Sequence, residues 1–197
     1  MTKLGSENLL QEQEQEILTF FFRTIEAVKR NTLTEQQVIE AARESGFKIS
    51  VLWKAFAALE SKGLIRCVYT NVFNNEGEPP STVTATFRGA QTYLRSVLLD
   101  YDAVRRTVAQ AIACRGDRSS SAIAHSLGVS GFIAEHFIEL FRREKLVEVG
   151  GVGPLGIHIA GIASRVRWAS ELNPSPAETI RTELVFARGR GIDAQTP

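Results

Sequence analysis

Between Ile49 and Phe87 the sequence holds three kinds of pattern in close succession, and this stretch constrains the fold more than any other. Val51, Leu52, Ala55, Phe56 and Leu59 recur at the spacing of one helix face. Ser61-Lys62-Gly63 then breaks that period, and an apolar strand is expected from Leu64 to Phe73. A polar tip, Asn74-Asn75-Glu76-Gly77-Glu78-Pro79-Pro80, separates it from a second strand expected over Thr82–Phe87. A helix that turns directly into a two-stranded ribbon needs other helices to cover its apolar side.

Those helices are present upstream. Glu7 to Arg30 reads as one helix, polar over Gln11–Glu16 and broadly apolar from Ile17 to Val28. At ~1.5 Å per residue its 24 positions span about 36 Å, more than a small three-helix unit requires. The run Phe20-Phe21-Phe22 is accordingly expected to lie near an interface with a second copy, making Phe20 and Phe21 candidate homodimer residues. A second helix is expected over Glu35–Ser45, started by a capping box between Thr34 and Gln37 and closed by Gly46. Ser50 is the expected cap of the third helix. A further helix is expected from Ala90 to Leu99.

The plan then recurs. Tyr101–Arg115, Ala122–Leu127 and Gly131–Glu144 read as helices, with Ser119–Ser121 and Ser130 as caps and Gly128 as a stop. Leu146–Val149 and Ile157–Ile159 read as strands flanking a glycine-rich tip, and Gly161 precedes a helix reaching Leu172. Lys62-Gly63-Leu64-Ile65 aligns with Glu144-Lys145-Leu146-Val147, and Gly46 with Gly128, at one offset of 82 positions. Thr86-Phe87-Arg88-Gly89 aligns with His158-Ile159-Ala160-Gly161 at an offset of 72. Two copies of one module follow, over residues 9–99 and 101–172, with a partly disordered extension over 173–197. The fold class is mainly α with small β-hairpins (α+β).

The run Leu59-Glu60-Ser61-Lys62-Gly63-Leu64-Ile65-Arg66, with Thr84-Ala85-Thr86-Phe87-Arg88-Gly89 after the hairpin, resembles winged-helix transcription regulators. The multiple-antibiotic-resistance regulator family is the nearest. The resemblance covers residues 9–99 and, more faintly, 101–172. It implies two tandem winged helix-turn-helix modules and an association with duplex DNA. Members of that family usually carry one module and a basic wing tip, whereas this chain has two modules and Glu76 and Glu78 at the tip. A tandem pair also resembles chromosome-condensation accessory proteins and membrane-sorting subunits, whose modules bind proteins.

Charge does not decide between these uses. The net charge is +1, and the halves 1–100 and 101–197 carry −1 and +2. A basic surface would therefore have to be local. The candidates for DNA contact are Lys48, Ser50, Lys54 and Lys62 in the first module and Arg142, Arg143 and Lys145 in the second. The first module's third helix offers no Arg, Asn or Gln that could pair with a base, and the second's offers none over its first residues, Ser130–Glu135, so contacts to phosphate are expected. The leading reading is a DNA-associated regulatory protein acting as a homodimer. The other is a non-enzymatic assembly adaptor with a protein partner.

Catalytic signatures are missing. The sequence has no phosphate loop, no nucleophile elbow and no zinc-ligand spacing among Cys67, Cys114, His125, His136 and His158. No enzyme activity, metal or cofactor is expected. No apolar run approaches the ~20 residues of a membrane span. A cytoplasmic protein is expected, nucleoid-associated if it binds DNA.

Overall fold

The computed structural model describes residues 12–70, 79–153, 156–164 and 168. Over these residues the chain is mainly helical, with two small antiparallel sheets. It divides into two compact units, Met1–Tyr93 and Leu94–Pro197. The division falls inside a helix, upstream of the Leu99–Asp100 boundary expected from sequence. The expected residues 1–11, 71–78 and 169–197, including Glu76, Glu78 and the C-terminal extension, lie outside the described residues.

The first unit runs α1 (Glu12–Val28), β1 (Thr32–Thr34), α2 (Glu35–Glu44), α3 (Ile49–Ser61), β2 (Ile65–Val68), β3 (Thr82–Ala85) and the first part of α4 (Phe87–Val97), whose residues from Leu94 onward belong to the second unit. Its sheet has the order β1-β3-β2, both pairings antiparallel. Thr34 caps α2 through the capping box read from sequence: its hydroxyl accepts from the Gln37 N–H, and the Gln37 side chain returns to the Thr34 N–H. Ser50 does not cap α3. Lys48 holds the cap position without a side-chain bond, and Ser50 lies in the first turn. The chain becomes helical two residues earlier because the α2–α3 turn is closed by backbone bonds, notably Phe47 N–H to the Ala42 carbonyl at 2.9 Å.

The strands are shorter than the sequence pattern suggests, and α4 begins at Phe87 rather than Ala90. The Thr86 hydroxyl explains that early start. It accepts from the Gly89 N–H at 3.0 Å, as a helix cap does, while donating toward the Gly63 and Leu64 carbonyls. The core of this unit is aromatic. Phe21 packs edge-on against Phe56, Phe22 stacks on Tyr93 at 5.1 Å, and Phe20 meets Phe47 at 4.9 Å.

The second unit runs α5 (Tyr101–Gln110), a π-helical turn (Ala111–Arg115), α6 (Ser120–Leu127), α7 (Gly131–Arg143), β4 (Val147–Gly153) and β5 (Gly156–Ile162). Ser119 and Ser130 cap α6 and α7 by accepting from Ala122 N–H and Ile133 N–H. Ser119 also bridges His158 on β5, in the place where Thr34 pairs with Thr82 in the first unit. The core gathers Phe137, Phe141 and Trp168, with the Phe141 and Trp168 rings 5.1 Å apart. Trp168 lies in the expected final helix, whose other residues from 165 to 172 are outside the described ones.

Hydrogen bonds carry the repeat further than residue identity does. Leu64 N–H reaches the Leu59 carbonyl, and Leu146 N–H reaches that of Phe141, at the same 82-residue offset. The return strands do not keep the offset of 72. Ile65 faces Ala85 and Val147 faces Ile162, so the offset there is 77. Gly161 therefore lies in a strand, whereas Gly89 lies in a helix.

One difference between the copies is testable. At the helix-to-strand turn Gly63 has φ +69°, and its counterpart Lys145 has φ +59°. A side chain in that left-handed region costs about 1–2 kcal/mol, which glycine avoids at the expense of greater unfolded-state entropy. Lys145→Gly is expected to stabilise the second unit by about 0.5–1 kcal/mol. Urea denaturation of the variant checks this, and a lower midpoint would contradict the turn geometry.

Candidate nucleic-acid interface

Helix α3 divides cleanly by face. Leu52, Ala55, Phe56 and Leu59 are buried, and Trp53 joins them at 8% exposure, edge-on to Phe56. Trp53 is a core residue. Ser50, Lys54, Ala57 and Ser61 form the exposed stripe, at the spacing of one helix face, with Lys48 just before it. Apart from the lysines, this stripe is made of small side chains, so another molecule can approach the helix backbone closely. Lys48 and Lys54 form no ion pair among the described residues.

Lys62 has a different role. Its ammonium is paired with Glu14 of α1, and both side chains are largely covered. The pair ties the end of α3 to α1 and neutralises Lys62. Glu60, which the sequence sets among the cations of α3, is also occupied. Its carboxylate accepts from Cys67 N–H at 2.8 Å and from the Tyr69 hydroxyl at 3.3 Å. Burial, reinforced by the negative charge of Glu60, pushes the Cys67 thiol up to about 12, so it stays protonated. Arg66, which the sequence groups with Arg43, Lys48, Lys54 and Lys62 in a possible basic face, is exposed on β2 opposite Thr84. Its exposure follows the strict alternation from Ile65 to Val68.

The second unit presents its cations differently. Arg142 reaches the Glu139 carboxylate through two nitrogens, at 2.6 and 2.7 Å, and Arg143 reaches it at 2.9 Å. These bonds hold the Glu139 carboxyl below the usual range. Two of the three candidate cations thus share one internal counter-charge. Lys145 is exposed beside them. Earlier on α7, Glu135 is half-buried and accepts from the Ser120 hydroxyl at 3.4 Å. Burial pushes its carboxyl up. Ser120 in turn accepts from Ile157 N–H at 3.0 Å, which fixes β5 against α6 and α7.

The proposed dimer residues lie within the first unit. Phe21 is fully buried and Phe20 is 8% exposed. Phe21 has no ring surface left for another molecule, because the unit covers three successive phenylalanines on different sides of α1.

No group of three or more His, Cys, Asp and Glu gathers as a metal site among the described residues. His136 is buried and bonded to the Tyr101 hydroxyl at 2.8 Å, while His125 and His158 are exposed. Cys114 is exposed. No described helix is long and apolar enough to cross a membrane. Neither a protein-family model, nor a curated protein, nor a solved structure matches the chain.

Proposed function

We propose that the chain is a DNA-associated regulatory protein built from two winged helix-turn-helix modules, and that its first unit meets duplex DNA mainly through phosphates. The observation that carries this reading is the exposed α3 stripe, where Lys48, Ser50 and Lys54 accompany Ala57 and Ser61 with no ion pair among the described residues. The element order and the β1-β3-β2 sheet support the first module. The Ser119–His158 bridge and the repeated turns support the second. A helix that carries lysines and small residues, and no forked donor, suits backbone contact rather than base reading. The reading places the protein in the cytoplasm, on the nucleoid. Any homodimer it includes uses a surface other than the Phe21 ring.

Salt dependence of binding to a random duplex tests it. Each phosphate neutralised contributes a slope of about −0.9 in log K against log salt. Lys54→Ala is expected to flatten the slope by roughly one unit, and Lys48→Ala by a similar amount. Arg142→Ala, which removes a cation already paired to Glu139, is expected to leave it unchanged. An unchanged slope in Lys54→Ala, or no binding at ~50 mM salt, refutes the reading.

One observation favours the second reading, a non-enzymatic assembly adaptor. The β4–β5 ribbon carries Val152 at 80% exposure, and the arginines at the end of α7 are internally paired. An apolar ribbon tip and a neutralised helix end each suit protein contact. Loss of duplex binding in the salt experiment would transfer the function to that surface.

A further inference from the structure

We infer that the groove between α1 and α2 is a docking site for a cationic amphipathic helix from a protein partner. The groove has a volume of about 730 Å³ and follows α1 from Gln15 to Val28. At ~1.5 Å per residue that run is about 20 Å long, room for three to four turns of a second helix laid alongside. Its floor is apolar, formed by Phe20, Ala41 and Phe47. The Phe20 and Phe47 rings meet at 4.9 Å, so the floor is held rigidly by the core.

The rim supplies the chemistry. Among the described residues Glu16, Glu40 and Glu44 are exposed along it, against one cation, Arg23. Arg23 is drawn toward the Tyr93 phenol, whose ionisation it opposes burial in favouring. Glu40 accepts from the Gln36 amide at 3.1 Å through one of its two oxygens. The groove is therefore an apolar channel with an acidic border.

That sign selects the occupant. A second copy of this chain would bring the same acidic border against this one, and like charges facing each other disfavour the contact. A helix with apolar anchors at i, i+3, i+4 and i+7, flanked by Lys or Arg, satisfies both floor and rim. The site also accounts for the polar first half of α1, where Gln15 and Glu16 are neither core nor part of the α3 stripe. The inference does not depend on duplex binding, because none of these residues belongs to the α3 surface.

The test uses the full chain without DNA. Its probes are two synthetic peptides of about 16 residues with leucines at that spacing, one filled in with lysine and the other with glutamate. At low salt the lysine peptide is expected to bind at least about tenfold tighter, with amide shifts centred on Thr19, Arg23, Ala41 and Ser45. Reversing two rim charges with Glu40→Lys and Glu44→Lys is expected to weaken it by about tenfold, as two exposed pairs turn repulsive. Mapping the shifts on the unaltered chain keeps the test valid if the double variant does not fold. Equal affinity for the two peptides, shifts elsewhere, or self-association that protects α1 and α2 would each overturn the proposal.

Discussion

Replacing Gly89 by alanine is expected to destabilise the first unit by about 3 kcal/mol, the upper end of what overpacking usually costs. A Cβ at this position would lie 1.8 Å from the Leu64 carbonyl oxygen and 2.8 Å from its carbon. Both are backbone atoms, so no side-chain rotation relieves the clash. Leu64 is also pinned, since its N–H bonds the Leu59 carbonyl and its carbonyl accepts from the Thr86 hydroxyl. The strain must spread into α4 or β2. The comparison variant is Gly161→Ala. A Cβ there would meet the Glu148 carboxylate at 2.9 Å, the end of a flexible side chain. That substitution is expected to cost less than about 1 kcal/mol. Urea unfolding of both variants checks the pair. Equal costs would mean that Gly89 has no closer approach than Gly161 and that α4 does not cross Leu64 as described.

Gly89 also shows where sequence reading stops. Arg88-Gly89 resembles a break before a helix, because glycine disfavours helix interiors. The residue is nevertheless the third of α4, and the reason lies 25 positions upstream at Leu64. No local pattern encodes that approach. Where the cause is local, the sequence is informative: Thr34 with Gln37, Ser130 with Ile133 and the turn after Leu59 all depend on neighbours within a few residues. The Phe20-Phe21-Phe22 run lies between these cases. Its apolarity is plain, but whether a module can enclose three adjacent rings depends on Phe47, Phe56 and Tyr93, which come from three other segments. The candidate site divides in the same way. Exposure of Ser50 and Lys54 follows from helix period alone. Neutralisation of Lys62 by Glu14, 48 residues away, does not. The Glu139–Arg142–Arg143 cluster was accessible from i, i+3 and i, i+4 spacing and marks a signal that a count of cations passes over.

Acid is expected to weaken the second unit through His136. This residue is 5% exposed on α7, with Tyr101 of α5 on its Nε2 and Phe137 beside its ring. Burial, assisted by the Arg95 guanidinium from α4, lowers its pKa from 6.5 to about 4, and Glu139 on the same helix opposes this only in part. The folded state therefore prefers the neutral ring. The unfolded chain takes up the proton below pH 6.5, so stability is complete above that value and is lost progressively as pH falls toward 4. Below about 4 both states are protonated and this loss stops growing. At 1.36 kcal/mol per pKa unit the full loss is about 3 kcal/mol. Two neighbours act in the same acidic range. Glu139, held low by its arginines, adds to the loss as it is protonated, whereas Glu135, held high by burial, gives some back. His136→Gln keeps a partner for the Tyr101 hydroxyl and removes the titration. Between pH 6.5 and 4.5 the unfolding free energy of this variant is expected to be nearly flat while that of the native chain falls. Proton NMR reads the group directly: the His136 ring signal is expected to titrate near 4. A His136 signal that titrates at the ordinary 6.5, or an equal acid loss in the variant, rules out this buried neutral histidine as the cause.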